Sequence, residues 1–501
     1  MRFWAAPFIV RLSLGVIFLA PPARAAIPAA ASSASWTEAR SGSFVVLTDM
    51  GAGTAITACR NLAQISEALP RTNATLAVVS PLPTYVFVLG HADLFTFCLP
   101  EPADAAALFL PALDRNLIIV DGASWQKWPA LNHEYLHSHL RANFPGIPVW
   151  LDEGIAEFYS TFKLHDTSVE AGGNLKWHSA WLMQYDPQPI DVLFAFNPGA
   201  AVYRQGGIMQ HTLYAEGWAL VQYLQSSREK AEKFDQFIGR YRAGSPPRRA
   251  FMESFPEDTW DAMLHDMHQY IAGGFIEPRT WKLREPIDVK DPDPADVPAR
   301  DAQVALVALK CLEGASARNE AEASCRQVLA ERPGEPLCLA GLGMIEDARG
   351  DSAAAESLYA RVAAVSPRPP LADLLVAQAT LERAIALLED QRAALARAAF
   401  VSARGRFQRC LAANPGDLAA AVGWARSFEL ENPPPAEALE TLRKASDALP
   451  ARADIALSLF ALELAAGRKD AASQLVETRL SAILRPADLA RAREMLTVAG
   501  K

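Results

Sequence analysis

Between Leu131 and Ser160 the chain reads LNHEYLHSHLRANFPGIPVWLDEGIAEFYS, a stretch that few arrangements satisfy. His133, Glu134 and His137 form an HExxH pentad. On a helix, side chains four positions apart lie one above the other, so the two imidazoles leave one face and can grip a single ion. Asn143, Pro145, Gly146 and Pro148 then stop the first helix. Beyond them Trp150, Leu151, Ile155 and Phe158 recur with the spacing of an apolar helical face. A helical hairpin is expected, with Glu153 on its second arm.

Two histidines do not complete a catalytic zinc site, which takes three protein ligands and leaves the fourth position to water. Glu153 is the candidate third ligand. Glu134 follows the first ligand by one residue, so its side chain leaves the ligand face and can act on the water as a general base.

The segment WLDEGIAEFY, after a short loop, resembles the gluzincin metallopeptidases, in which a downstream W-L-x-E-G-x-A-E helix supplies the third ligand. The resemblance implies zinc on His133, His137 and Glu153. It also implies that Glu157, one turn further on, hydrogen-bonds a zinc histidine and fixes its tautomer. Farther along, LYAEGWALVQYL (Leu213–Leu224) is similar to the Y-x-K-G helix start of the M1-like branch, which implies Tyr214 as a donor to the oxyanion of a tetrahedral intermediate. Glu216 stands where that branch usually has lysine, and the G-x-M-E-N segment that reads a free substrate N-terminus is missing. The likeness is therefore to the broader peptidase MA-like group of bacterial exported proteins.

Residues 1–25 carry Arg2 and Arg11, an apolar run from Leu12 to Ala20, and a small-x-small site at Ala23, Arg24 and Ala25. They read as a signal peptide cut after Ala25, which makes the mature protein exported, periplasmic or secreted, with no membrane anchor. The formal charge of −9 and the lack of a long Lys/Arg run argue against nucleic acid or an anionic membrane as a partner. Six cysteines in an exported chain can be oxidised. Cys59 with Cys98 and Cys311 with Cys325 are the expected pairs; the alternative is buried free thiols.

Residues 26–285 form the expected peptidase domain. Strands are expected at Phe44–Leu47, Tyr85–Leu89 and Asn116–Val120, with a helix over Ala55–Leu69. The gluzincin likeness makes Asn116–Val120 a sheet edge that pairs with an extended substrate; the alternative is a buried core strand. Asp166–Pro198 reads as an irregular connection with a short helix at Trp177–Gln184, followed by helices at Gln210–Leu224, Arg228–Tyr241 and Trp260–Ile271. His178, His211, His265 and His268 read as ordinary surface or packed residues, and His139, off the ligand face, as solvated.

Residues 286–299 are a linker, since PIDVKDPDPADVP (Pro286–Pro298) cannot hold a helix or a central strand. In residues 300–501, Leu342, Gly343, Gly350, Asp351, Ala355, Tyr359 and Pro367 resemble the pattern of a roughly 34-residue tetratricopeptide repeat. Ala403, Phe407 and Pro415, then Ala438, Leu442, Ala445 and Pro450, then Gly467 and Ala472 give further matches. Stacked helix pairs of that kind leave a concave face for a protein partner, and a generic helical bundle is the alternative.

The expected fold is an α+β gluzincin-like zinc metallopeptidase domain with a small mixed sheet, followed by an all-α tetratricopeptide-like repeat domain. The expected function is zinc-dependent hydrolysis of a peptide or protein substrate, with Glu134 and Tyr214 catalytic. Two alternatives stand beside it: a catalytically silent scaffold, and a zinc hydrolase acting on another bond.

Overall fold

Along Thr84–Leu89 the apolar side chains turn alternately to two sides, and both sides are buried, as in a strand with helices packed on each face. The structure, a computed structural model, describes residues 27–99, 105–112, 114–185, 187–195, 208–256, 259–312 and 317–498. The signal peptide expected at 1–25 lies outside them. After a one-turn helix α1 (Ala30–Ser33) come β1 (Trp36–Ser41), β2 (Phe44–Thr48), α2 (Ala52–Thr72), β3 (Thr84–Leu89), α3 (Ala92–Cys98), β4 (Ala107–Pro111) and β5 (Asn116–Asp121). The strands lie in the order β4-β5-β3-β2-β1; β2, β3 and β5 are parallel, and β1 and β4 run antiparallel to their neighbours.

Next in the chain are α4 (Lys127–Asn143), α5 (Val149–Ser160), the hairpin β6 (Lys163–His165) and β7 (Ser168–Ala171), α6 (Lys176–Leu182) and α7 (Ile190–Ala195). Four further helices come after these: α8 (Ile208–Leu224), α9 (Arg228–Arg242), α10 (Pro247–Ser254) and α11 (Trp260–Ala272). Strand β8 (Arg279–Lys282) pairs with β7 in a second small sheet, and β9 (Ala295–Val297) returns to pair with β1. The Pro/Asp-rich stretch thus supplies an edge strand, the one strand position that tolerates such a sequence.

Val46, Val86, Val88, Ile118 and Val120 face α2 and α4 across one core. Leu47, Phe87, Leu89, Leu117 and Ile119 face the other way, onto α3 and onto α12 (Ala299–Leu312), α13 (Arg318–Glu331) and α14 (Pro336–Arg349). The region up to β9 is mixed α+β, and the described chain beyond it is helical. The later helices are α15 (Ser352–Ala364), α16 (Pro370–Glu389), α17 (Ala393–Ala413), α18 (Leu418–Arg426), α19 (Ala436–Ala448), α20 (Ala453–Ala465), α21 (Lys469–Leu475) and α22 (Pro486–Val498).

Small residues let these helices pair. The Tyr359 ring occupies the space where a side chain on Gly343 would sit, and the Phe407 ring does the same at Gly423. Gly350, at φ 89°, caps α14 in the left-handed conformation that favours glycine. The array comes back to the α+β region: Leu82 is buried in one cluster with Val422, Ala425, Phe428 and Leu439. The turn between α4 and α5 also lies against the chain at Ala482, close to Gly146.

Several expectations fail here. Of the two readings of Asn116–Val120, the buried core strand is the one found: β5 lies between β3 and β4, because residues 107–111 form a strand that covers it. Cys59 and Cys98 are buried free thiols, the alternative to the expected pair, since one packs on each face of the sheet. The sulfurs of Cys311 and Cys325 do meet, at 3.6 Å, but as thiols. His139 is buried rather than solvated, with its Nε2 2.7 Å from the carbonyl oxygen of Leu76. Within 166–198, Ser168–Ala171 is not irregular but a strand, β7, paired in a hairpin with β6 just before the range. No helix of the described residues is long and apolar enough to cross a membrane.

Candidate metal centre

Helix α4 carries His133, Glu134 and His137, and α5 returns alongside it with Glu153 facing them. What brings α8 to the same place is a pair of glycines. A Cβ on Gly154 would fall 2.3 Å from the carbonyl oxygen of Gly217, and one on Gly217 would fall 2.4 Å from that of Trp150. Only glycine at both positions lets the two backbones approach this closely. With α8 so near, the ring of Tyr214 stacks beside that of His133, with centroids 6.4 Å apart and an interplanar angle of 24°.

The Nε2 atoms of His133 and His137 are 3.1 Å apart, and Glu153 Oε2 is 3.3 Å from the first and 3.6 Å from the second. Ligand atoms about 2.0–2.1 Å from a tetrahedral zinc ion stand about 3.3 Å from each other, so the spacing suits such an ion. The far sides of the rings support the same orientation. His137 Nδ1 donates to Asp152 Oδ1 at 3.1 Å, and His133 Nδ1 faces Glu157 Oε1 at 3.7 Å. With the protons on Nδ1, both Nε2 lone pairs would face the Glu153 carboxylate, an arrangement that could hold a cation between them. Imidazole nitrogens with one carboxylate favour zinc and its transition-metal neighbours over calcium or magnesium.

Electrostatics agree. Asp152, Glu153, Glu157 and Glu134 surround the two imidazoles, an excess of negative charge. Burial works to lower the pKa of His133, but Glu157, Glu153 and Glu134 outweigh it and raise it well above the ordinary value. For His137 burial is again outweighed, by Asp152 and Glu153, and the pKa rises to about 9. Burial raises that of Glu134 against the opposing pull of His133 and His137. Burial pushes Glu157 upward, yet His133 and His178 hold it well below the usual carboxylate range.

No family model, curated protein or solved structure matches this chain. The arrangement therefore rests on its own geometry.

Of the residues singled out from sequence, His133, His137 and Glu153 come together, their ligand atoms all within 4.8 Å of one another. Glu134 and Glu157 lie against them, and Tyr214 flanks His133. Three contacts escaped sequence reasoning. Asp152 orients His137, where only Glu157 was expected to hold a histidine. His178, read as ordinary, places its Nε2 3.2 Å from Glu157 Oε1 and so joins the acid that faces His133. Phe109 of β4 lies with its backbone N–H against the Glu134 carboxylate. Glu216 is buried, and its Oε1 accepts the backbone N–H of Gln188. Burial lifts its pKa to about 8.

Proposed function

We propose that the protein is a zinc-dependent peptidase of gluzincin type, exported after loss of residues 1–25, whose helical array is tetratricopeptide-like and binds a protein partner or substrate. The observation that carries this reading is the convergence of two Nε2 atoms and one carboxylate oxygen at 3.1–3.6 Å, with Glu134 beside them. When bound, the ion supplies Lewis acidity toward a water and a substrate carbonyl.

The chain's own residues do the rest. Glu134 takes the proton of the attacking water and returns it to the leaving nitrogen. Tyr214 donates to the oxyanion as it forms. Asp152 and Glu157 hold the imidazoles in the tautomer that points Nε2 inward. A substrate backbone lies along β4, which has no other strand on its outer side among the described residues. The N–H and C=O groups of an open edge accept any extended peptide, so binding there does not depend on side chains.

Cleavage of a peptide library, read by mass spectrometry, tests the reading. Zinc-loaded protein should cut peptides and Glu134→Gln should not. Equal cleavage by both would remove Glu134 from its role, and no cleavage by either would leave a scaffold.

A further inference from the structure

Arg141 lies one helical turn beyond His137 on α4, so His133, His137 and Arg141 form a single row along the helix. Its guanidinium stands 6.0 Å from the ring centroid of Phe109, whose backbone faces Glu134. The residue is exposed by its surface area, although the groups packed around its guanidinium lower its pKa by desolvation, and among the described residues it forms no ion pair. Asp152, the acidic group that acts on it, is already engaged by His137.

The helical array closes the other side. Arg452, just before α20, is near enough to act on Arg141 as a like charge. Arg452 is itself bound to Asp454, by Nε to Oδ1 at 2.8 Å and Nη2 to Oδ2 at 2.8 Å. Asp454 also meets Arg426 at 3.3 Å, and Arg426 lies 3.6 Å from Glu429. The two array arginines are thus matched by two acids, while Arg141 keeps its charge without an ion-pair partner among the described residues. The row along α4 is thus acidic in its surroundings at His133 and His137, and cationic at Arg141.

That polarity orients a ligand. A substrate carboxylate is repelled by Asp152, Glu153 and Glu157 and attracted by a guanidinium already held over an aromatic face. His137 and Arg141 are about 6 Å apart along the helix axis, and an extended peptide advances about 3.3 Å per residue. Allowing for the length of the arginine side chain, the carboxylate falls two or three residues from the bond at the metal ligands.

We propose that Arg141 sets specificity, receiving a carboxylate carried by the substrate, on an acidic side chain or at a free C-terminus, two or three residues from the scissile bond. The proposal rests on the peptidase reading and deepens it.

The test is peptide binding to full-length, zinc-loaded Glu134→Gln protein, followed by fluorescence anisotropy. The probes are labelled hexapeptides carrying Glu or Gln at each position, each made as the free acid and as the C-terminal amide. A peptide with a correctly placed carboxylate should bind about 10- to 100-fold more tightly than its uncharged counterpart, the range expected of a charge-assisted hydrogen bond. The Glu/Gln arm and the acid/amide arm identify which carboxylate is read. Adding Arg141→Gln should abolish the preference while leaving uncharged peptides within about twofold, and Arg141→Lys should restore part of it.

Equal binding of charged and uncharged peptides, equal weakening of both by Arg141→Gln, or no binding of any peptide would overturn the assignment. Selective binding of acidic peptides that the Glu134 protein then fails to cut would support Arg141 and count against hydrolysis, so the two ideas fail separately.

Discussion

Oδ1 of Asp152 accepts the Nδ1–H of His137 at 3.1 Å, so the residue next to one proposed metal ligand fixes the orientation of another. Asp152→Ala should leave the fold intact and weaken zinc binding by about 10- to 100-fold, the usual effect of removing such a partner. Competition against a chromophoric chelator measures it. Unchanged affinity would mean that packing alone orients His137.

Tyr214→Phe should retain zinc and lose about 10²- to 10³-fold in kcat, with KM little altered, because the hydroxyl acts on charge that exists only in the transition state. Steady-state kinetics on a cleaved library peptide gives the split. A change confined to KM would make Tyr214 a binding residue.

Gly217→Ala places a Cβ about 2.4 Å from the carbonyl oxygen of Trp150 and must drive α8 away from α5. The expected loss is about 1–3 kcal/mol in urea unfolding, the range for overpacking a tight contact, with weaker zinc binding because Glu153 is displaced. Gly239→Ala on α9 is the control, since nothing lies within 4 Å of its Cβ. It should stabilise by about 0.5–1 kcal/mol through helix propensity.

Burial lifts Glu216 to a pKa of about 8, whereas an unfolded glutamate loses its proton near pH ~4.3. Between those values the folded state holds the extra proton. The contribution of Glu216 to stability therefore falls as pH rises from about 5 to 8 and is level above. Glu216→Gln should remove that slope and be the more stable protein at pH ~8.5, by an amount on the order of 2 kcal/mol. Urea unfolding of both proteins across this range checks the sign, and parallel curves would refute it.

How much of this was legible in the sequence depended on whether periodicity carried the information. His133, His137 and Glu153 lie on helices whose faces repeat every few residues, so their convergence could be foreseen. The side on which Asp152 falls depends on how far α5 is rotated against α4, which no local pattern records. Strand β4 is a five-residue run ending in Pro111, and its antiparallel pairing removed β5 from the edge. Alternation along a strand could have warned that helices before and after β3 cover different faces, which is why Cys59 and Cys98 stay apart. His139 is buried because a carbonyl 63 residues away, that of Leu76, accepts from it. The Gly343–Tyr359 contact joins two of the positions named for small and aromatic residues, so that helix pairing was visible, whereas Phe407 was named and its partner Gly423 was not.

Metal content reports most directly on the central claim. Purified protein equilibrated with zinc, then dialysed and analysed by mass spectrometry, should hold one zinc per chain, and both His137→Ala and Glu153→Ala should lose it while keeping the parent circular-dichroism spectrum. Zinc retained in full by Glu153→Ala, or absent from the parent protein, would contradict the account.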